Sequence, residues 1–151
     1  FDSWAISDYL YGERVVDVGS GAGFPGIPLA LLFPEKKFFL LESNQKKAYF
    51  LRKTIDELNI KNGIVINENI TKTNSLGTYD IITARAFAKI GKIIELTRNN
   101  LKKETEYLLL KGTLQKIKEE LKVLDTNQLT YEIIKLENKK QERHIIKIKN
   151  K

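Results

Sequence analysis

The sequence predicts an α/β fold, a parallel sheet doubly wound with helices on both faces and ended by an antiparallel hairpin. Three observations carry this. Short apolar runs alternate with segments of helical period from one end of the chain to the other. The first run ends in an acid and alternating glycines, Asp17-Val18-Gly19-Ser20-Gly21-Ala22-Gly23-Phe24-Pro25-Gly26, as a strand does when it stops beneath a ligand. The last two runs are separated only by the polar span 137–144, too short for a crossover helix, so they must pair antiparallel.

Taken in order, residues 14–18 form the first strand and 26–33 a helix that Pro34 closes, with Pro25 suited to a first helical turn, where a missing N–H costs nothing. Residues 38–42 form the second strand. Residues 45–58 form an amphipathic helix with Ala48, Leu51, Ile55 and Leu58 on one face. Strands follow at 64–67, 79–84 and 106–110, with helices around 92–101 and 113–124, and the hairpin strands at 131–136 and 145–148. The most irregular loop is 74–78, with Asn, Ser and Gly. Residues 1–12 carry Trp4, Ile6, Tyr9 and Leu10 at helical spacing and are expected to pack as a helix on the sheet, the remnant of a helical N-terminal part.

At 151 residues the chain is expected to be one domain, 1–151, with a single core. No run approaches the ~18 apolar residues of a membrane helix, and the start has no signal-peptide pattern. The cytoplasm is therefore the expected compartment, no membrane partner is expected, and a monomer is the default. The chain begins at Phe1 without an initiator methionine, so an upstream part is expected to be missing. The absence of cysteine removes disulfides, thiolate metal sites and cysteine nucleophiles together. Residues 1–60 hold 7 Lys/Arg and 8 Asp/Glu, and residues 61–151 hold 19 and 11, so the net charge of +7 comes from the second part. Such a surface suits a nucleic acid or is simply solvated.

Glycines after a strand let the backbone turn and approach a ligand without Cβ obstruction. Glu42 ends the second apolar run nineteen residues after Gly23, where an acid reaches the hydroxyls of a ribose. Gly21, Gly23 and Gly26 satisfy a dinucleotide pattern, but the first glycine after the strand is Gly19 and the acid Asp17 precedes it. A carboxylate there repels a pyrophosphate and suits the ammonium and sulfonium of S-adenosyl-L-methionine, which is preferred over NAD. Seven strands ending in a hairpin also distinguish the Rossmann-like sheet of S-adenosylmethionine methyltransferases from a dinucleotide fold with six parallel strands.

Ligands of open α/β sheets lie beyond the carboxyl ends of the strands, here residues 17–24, Glu42, 67–70, 84–87 and 111–112. Thr83-Ala84-Arg85-Ala86-Phe87 lacks the paired prolines that usually accompany methylation of an exocyclic amine. Carbon five of a pyrimidine requires a cysteine adduct. Guanine N7 asks for less, since its lone pair is unprotonated at neutral pH and catalysis becomes mostly alignment. Arg85 suits the guanine edge, a phosphate or the donor's carboxylate. Lys111 suits RNA phosphate or a ribose hydroxyl. Arg143 precedes the last strand and reaches toward the mouth of the site, His144 reads as a solvated turn residue, and Phe24 and Phe87 either stack on a base or plug the core.

With these residues in place the chain resembles the bacterial 16S rRNA guanine-N7 methyltransferase family, also called glucose-inhibited division protein B. The resemblance is carried by Phe1-Asp2-Ser3, by Gly12-Glu13-Arg14 followed by 17–30 with Gly23-Phe24-Pro25-Gly26-Ile27-Pro28, by Glu42-Ser43 with Lys46-Lys47 and Phe50-Leu51, by Thr83-Ala84-Arg85-Ala86, by Leu110-Lys111-Gly112 and by Glu142-Arg143-His144. It implies methyl transfer to N7 of one guanine in the decoding-region loop of small-subunit rRNA, as naked 16S rRNA or within the particle. It also implies donor binding by Asp17, Gly19, Gly21, Gly23, Phe24, Glu42, Asn69, Ile70 and Arg85, and catalytic roles for Arg85, Lys111 and Arg143. One departure stands in 67–70, where Glu68 occupies the family's usual arginine position and Ile70 its acid position. A non-catalytic scaffold that binds RNA or cofactor is the further alternative.

Overall fold

The computed structural model describes residues 2–85, 87–137 and 140–151. Phe1, Ala86 of the segment after the fourth strand, and Asn138-Lys139 of the hairpin span lie outside the described residues. The strands are β1 Arg14–Val18, β2 Lys37–Leu41, β3 Gly63–Ile66, β4 Tyr79–Arg85, β5 Leu101–Lys111, β6 Leu129–Leu136 and β7 Arg143–Asn150. The helices are α1 Asp2–Ser7, α2 Gly26–Leu32, α3 Gln45–Glu57, α4 Ile90–Thr97 and α5 Leu114–Leu121.

Among the described residues one sheet holds seven strands in the order β3-β2-β1-β4-β5-β7-β6. The first five pair in parallel, and β7 runs antiparallel to both β5 and β6. Alternation sorts the side chains between two apolar layers. Val15, Phe38, Leu40, Ile81, Leu108 and Leu110 pack with Ile27, Leu29, Leu51 and Ile55 of α2 and α3. Val16, Val18, Phe39, Ile82, Tyr107 and Leu109 pack with Ile90, Ile93, Ile117 and Leu121 of α4 and α5. The chain leaves β1 for β2 on one side and returns to β4 on the other. The switch point of the sheet therefore lies between β1 and β4.

Several sequence expectations are corrected at the edges of elements. β5 begins at Leu101 rather than near 106, because Leu101 pairs with Tyr79 ahead of an irregularity between Tyr79 and Ile81. Pro25 stands just ahead of α2 as its N-cap residue, after a cis Phe24–Pro25 peptide. Trp4, expected to pack inward, is 64% exposed, whereas Ile6 of the same short helix is buried. β7 starts at Arg143, so Arg143 and His144 are strand residues. His144 is buried, not a solvated turn residue, and its Nδ1 lies 2.7 Å from the Gly112 carbonyl oxygen.

Asn62, on the turn before β3, ties the end of α2 to the sheet. Its Nδ2 donates to the carbonyl oxygens of Ala30, Phe33 and Lys36 at 3.0, 2.9 and 2.9 Å. Helix-end carbonyls have no partner within the helix, so this amide supplies one. Asn62→Ala is expected to lower the unfolding free energy by about 1–3 kcal/mol in urea titration, with the slope unchanged.

Candidate functional site

A cavity of about 230 Å³ opens at the switch point, lined by Gly19 and Gly21, Glu42 and Ser43, Lys47, residues 68–70, Arg85 and Phe87, over Val18 and Leu41. Four segments build it. Each follows the carboxyl end of a strand: β1, β2, β3 and β4.

The turn after β1 takes positive φ at Gly19, Gly21 and Gly23, at 69°, 57° and 95°, a region open to glycine at little cost. It is held to β2 by the N–H groups of Gly19 and Ser20, which both donate to the Leu41 carbonyl oxygen at 2.9 Å. Above Gly21 the space is open, for a Cβ built there would meet nothing nearer than the Gly19 carbonyl oxygen at 3.8 Å. Gly26 differs. A Cβ there would fall 2.2 Å from Leu40 Cδ2 and 3.0 Å from Asp17 Oδ2, so only glycine admits the start of α2.

Glu42 is buried in the cavity wall. Its Oε1 accepts from Gly21 N at 2.8 Å and its Oε2 from Asn44 N at 2.9 Å. Each oxygen retains a further lone pair, so the carboxylate is oriented and still able to accept hydroxyls. Asn67 locks the ends of β2 and β3 together, its Nδ2 donating to the carbonyl oxygens of Glu42 and Ser43 at 2.9 and 3.2 Å. Beyond it Ile70 is buried in the core, and Asn74 ties the loop by donating to Asn69 O and accepting from Thr71 N, each at 2.9 Å. Asn69 and Ile70 thereby form a fixed wall opposite the glycine turn.

Asp17 has a different place from the one expected. It is buried behind the turn and is not in the cavity wall. Its Oδ2 accepts from Ser20 Oγ at 2.9 Å and Gly26 N at 3.2 Å, and its Oδ1 from Thr83 Oγ1 at 3.3 Å. The strand pleat explains this: Asp17 shares the face of Val15, which looks toward α2 and α3. Gly23 is likewise buried against Ile27 and Leu51, and Phe24 is half exposed outside the cavity.

Arg85 ends β4 in the wall with an exposed side chain, and Phe87 lies across Gly19. Lys111 does not line the cavity. Its Nζ donates to Ala88 O at 2.7 Å and pairs with Glu120 Oε1 at 3.1 Å, and the same carboxylate oxygen accepts from Ile90 N at 2.8 Å. This lysine supports the connection from β4 to α4 from beneath. Arg143 pairs in register with Leu136 and is also outside the cavity wall.

The family described as GidB: rRNA small subunit methyltransferase G matches residues 1–146. The chain belongs to this family. Ribosomal RNA small subunit methyltransferase G of Coxiella burnetii is 38% identical over 149 residues, which span 99% of this chain and 72% of that protein. The protein of the same name from Brachyspira hyodysenteriae is 42% identical over 144 residues, 94% of this chain and 70% of its own. In fold the chain is similar to M. capricolum TrmK, solved with the cofactor product S-adenosyl-homocysteine, at a TM-score of 0.75 and 15% identity over 99% of this chain and 67% of the other.

Within this family member the sequence reading located Gly19, Gly21, Glu42, Asn69, Ile70 and Arg85, which the structure brings together. It missed Ser43 and Lys47 as lining residues, although a helix that starts three residues past Glu42 must bring its first turn to the rim. Glu120 had no signal at all, because its partners are 9 and 30 residues away in sequence.

Burial lifts the Asp17 carboxyl from 3.8 to about 7, against its hydrogen bonds with Ser20, Gly26 and Thr83 and the charge of Arg85, which pull it down. An acid with a raised folded-state value holds its proton in the native state, so its contribution is whole below 3.8 and drains as pH rises to about 7. Urea unfolding is expected to show the wild type losing stability relative to Asp17→Asn between those pH values and no further drift above; a constant difference contradicts it. Glu120→Ala leaves Lys111 uncompensated and mostly buried and is expected to cost about 3 kcal/mol, largely recovered in Glu120→Ala/Lys111→Met.

Proposed function

We propose that the chain transfers a methyl group from S-adenosyl-L-methionine to N7 of one guanine in the decoding-region loop of 16S rRNA. The observation that carries this is the meeting of an open glycine turn and an oriented, buried carboxylate, Glu42, at the switch point of the sheet. When bound, S-adenosylmethionine supplies an electrophilic methyl group on a sulfonium.

The residues present fit that group. Glu42 would accept the ribose hydroxyls through its remaining lone pairs, the turn would admit the ligand at Gly21, where no Cβ stands in the way, and Asn69 and Ile70 would border the adenine. With Glu68 and Ile70 in place of an arginine and an acid, the adenine edge falls to backbone groups of that wall. Arg85 offers a planar fork to the O6/N7 edge of guanine, and Phe87 a ring against its face.

The protonation chemistry suits N7. Both oxygens of Glu42 are engaged by N–H donors, Asp17 is sealed behind the turn, and Lys111 is paired with Glu120. A ring nitrogen with a free lone pair needs no proton removed before attack, so alignment of donor and acceptor is the main task left to the protein. The names of the curated relatives, each a small-subunit rRNA methyltransferase, support the choice of RNA.

Ribosomal RNA from a strain lacking this gene is expected to miss one N7-methylguanine by mass spectrometry and primer extension. Unchanged rRNA overturns the substrate. In calorimetry S-adenosylmethionine should titrate and NAD should not, and Glu42→Ala should weaken the former by roughly ten- to a hundredfold. Arg85→Ala should lower turnover by about tenfold or more while leaving donor affinity in place, as expected of a group that touches the acceptor.

A further inference from the structure

We infer that the outward face of α3 is a track for single-stranded RNA leading away from the cavity, with Tyr49 and Phe50 as stacking platforms and Lys46 and Lys53 as phosphate contacts. This rests on the methylation reading of the cavity and specifies where the substrate strand lies.

α3 turns Ala48, Leu51 and Ile55 into the core. The opposite face presents Lys46, Tyr49, Phe50 and Lys53, spaced i, i+3, i+4 and i+7, so two bases bracket two rings along two turns. Tyr49 is 68% and Phe50 58% exposed. Among the described residues none of these four side chains takes part in a hydrogen bond, ion pair or ring contact. The helix begins beside the cavity, whose wall includes Lys47.

Charge is concentrated on this helix beyond its share. The first sixty residues hold 7 Lys/Arg, and four of them are Lys46, Lys47, Arg52 and Lys53. No acid offsets Lys46 and Lys47 in the first turn, where positive charge opposes the helix dipole. The arrangement works against the isolated helix and in favour of an approaching polyanion. A purely apolar partner would leave these cations without a role, and a duplex would hide the base faces that exposed rings could stack on. Unpaired RNA uses both, through phosphates on lysines and bases on aromatic rings.

The test uses the full-length protein and a fluorescein-labelled, mixed-sequence, single-stranded oligoribonucleotide, with affinity read by anisotropy across a salt series. Tyr49→Ala/Phe50→Ala should weaken binding by about ten- to a hundredfold, since each ring that stacks on a base contributes roughly a decade. Lys46→Gln/Lys53→Gln should reduce the slope of log affinity against log salt by about 1.4, or 0.7 for each lost phosphate contact. S-adenosylmethionine affinity should be unchanged in both.

The lysine variant alters only exposed side chains and keeps the test decisive where the ring variant fails to fold. RNA affinity and salt slope at wild-type values, with methyl transfer to rRNA intact, overturn the track and leave the methylation reading standing. A fall in melting temperature with RNA affinity unchanged means that the rings are covered by protein, and also overturns the track. A wild-type protein that binds no single-stranded RNA and methylates no rRNA overturns both.

Discussion

The buried carboxyl of Asp17 is the interaction on which the site depends. It accepts from Ser20 inside the glycine turn, from Gly26 at the start of α2 and from Thr83 on β4, so one side chain sets the turn, the helix and the neighbouring strand relative to one another. A buried polar group without partners would cost several times what a surface one does. The three donors remove that cost only in one arrangement of the loop, and the close approach of Gly26 to Asp17 and Leu40 leaves no room for another. The open space above Gly21 is a consequence of what lies beneath it.

Rigidity then passes outward along the strand ends. Gly21 orients Glu42 from one side and Asn44 from the other, and Asn67 joins the carbonyls of Glu42 and Ser43 to the end of β3. On the far side of the switch point, Glu120 and Lys111 fix the connection from β4 to α4 and with it the segment that brings Phe87 over Gly19. Two buried or half-buried carboxylates and a paired lysine thus serve geometry. Of these only Glu42 lines the cavity, and both its oxygens are engaged by N–H donors.

Much of the fold and the glycine-turn side of the cavity was legible in the sequence, because both rest on local signals. The first strand shows in its short apolar run ended by an acid, the turn in its glycines, and the end of β2 in the acid Glu42 that follows it. What was not legible depends on packing between distant segments. The direction of Asp17 follows from which face of β1 meets α2. Burial of His144 follows from its pairing with Lys111 across β5 and β7. The pairing of Lys111 could not be read without Glu120, since a lysine at a strand end has the same local sequence whether it faces a ligand or a loop. The exposure of Trp4 likewise depends on how little of the sheet a six-residue helix covers.

The same division separates the two halves of the proposed reaction. Groups that would meet the donor are backbone amides, glycines and a buried carboxylate, held by partners within the core and tolerant of few substitutions. Groups that would meet the acceptor, Arg85, Lys47 and the outward face of α3, are charged or aromatic and solvent-exposed. Lysines in the first turn of α3 oppose the helix dipole, so stability alone does not gather four bases into the first nine positions of α3. Their concentration beside the cavity is what the proposed polyanionic acceptor would use. The rings of Tyr49 and Phe50 narrow that polyanion to one with unpaired bases.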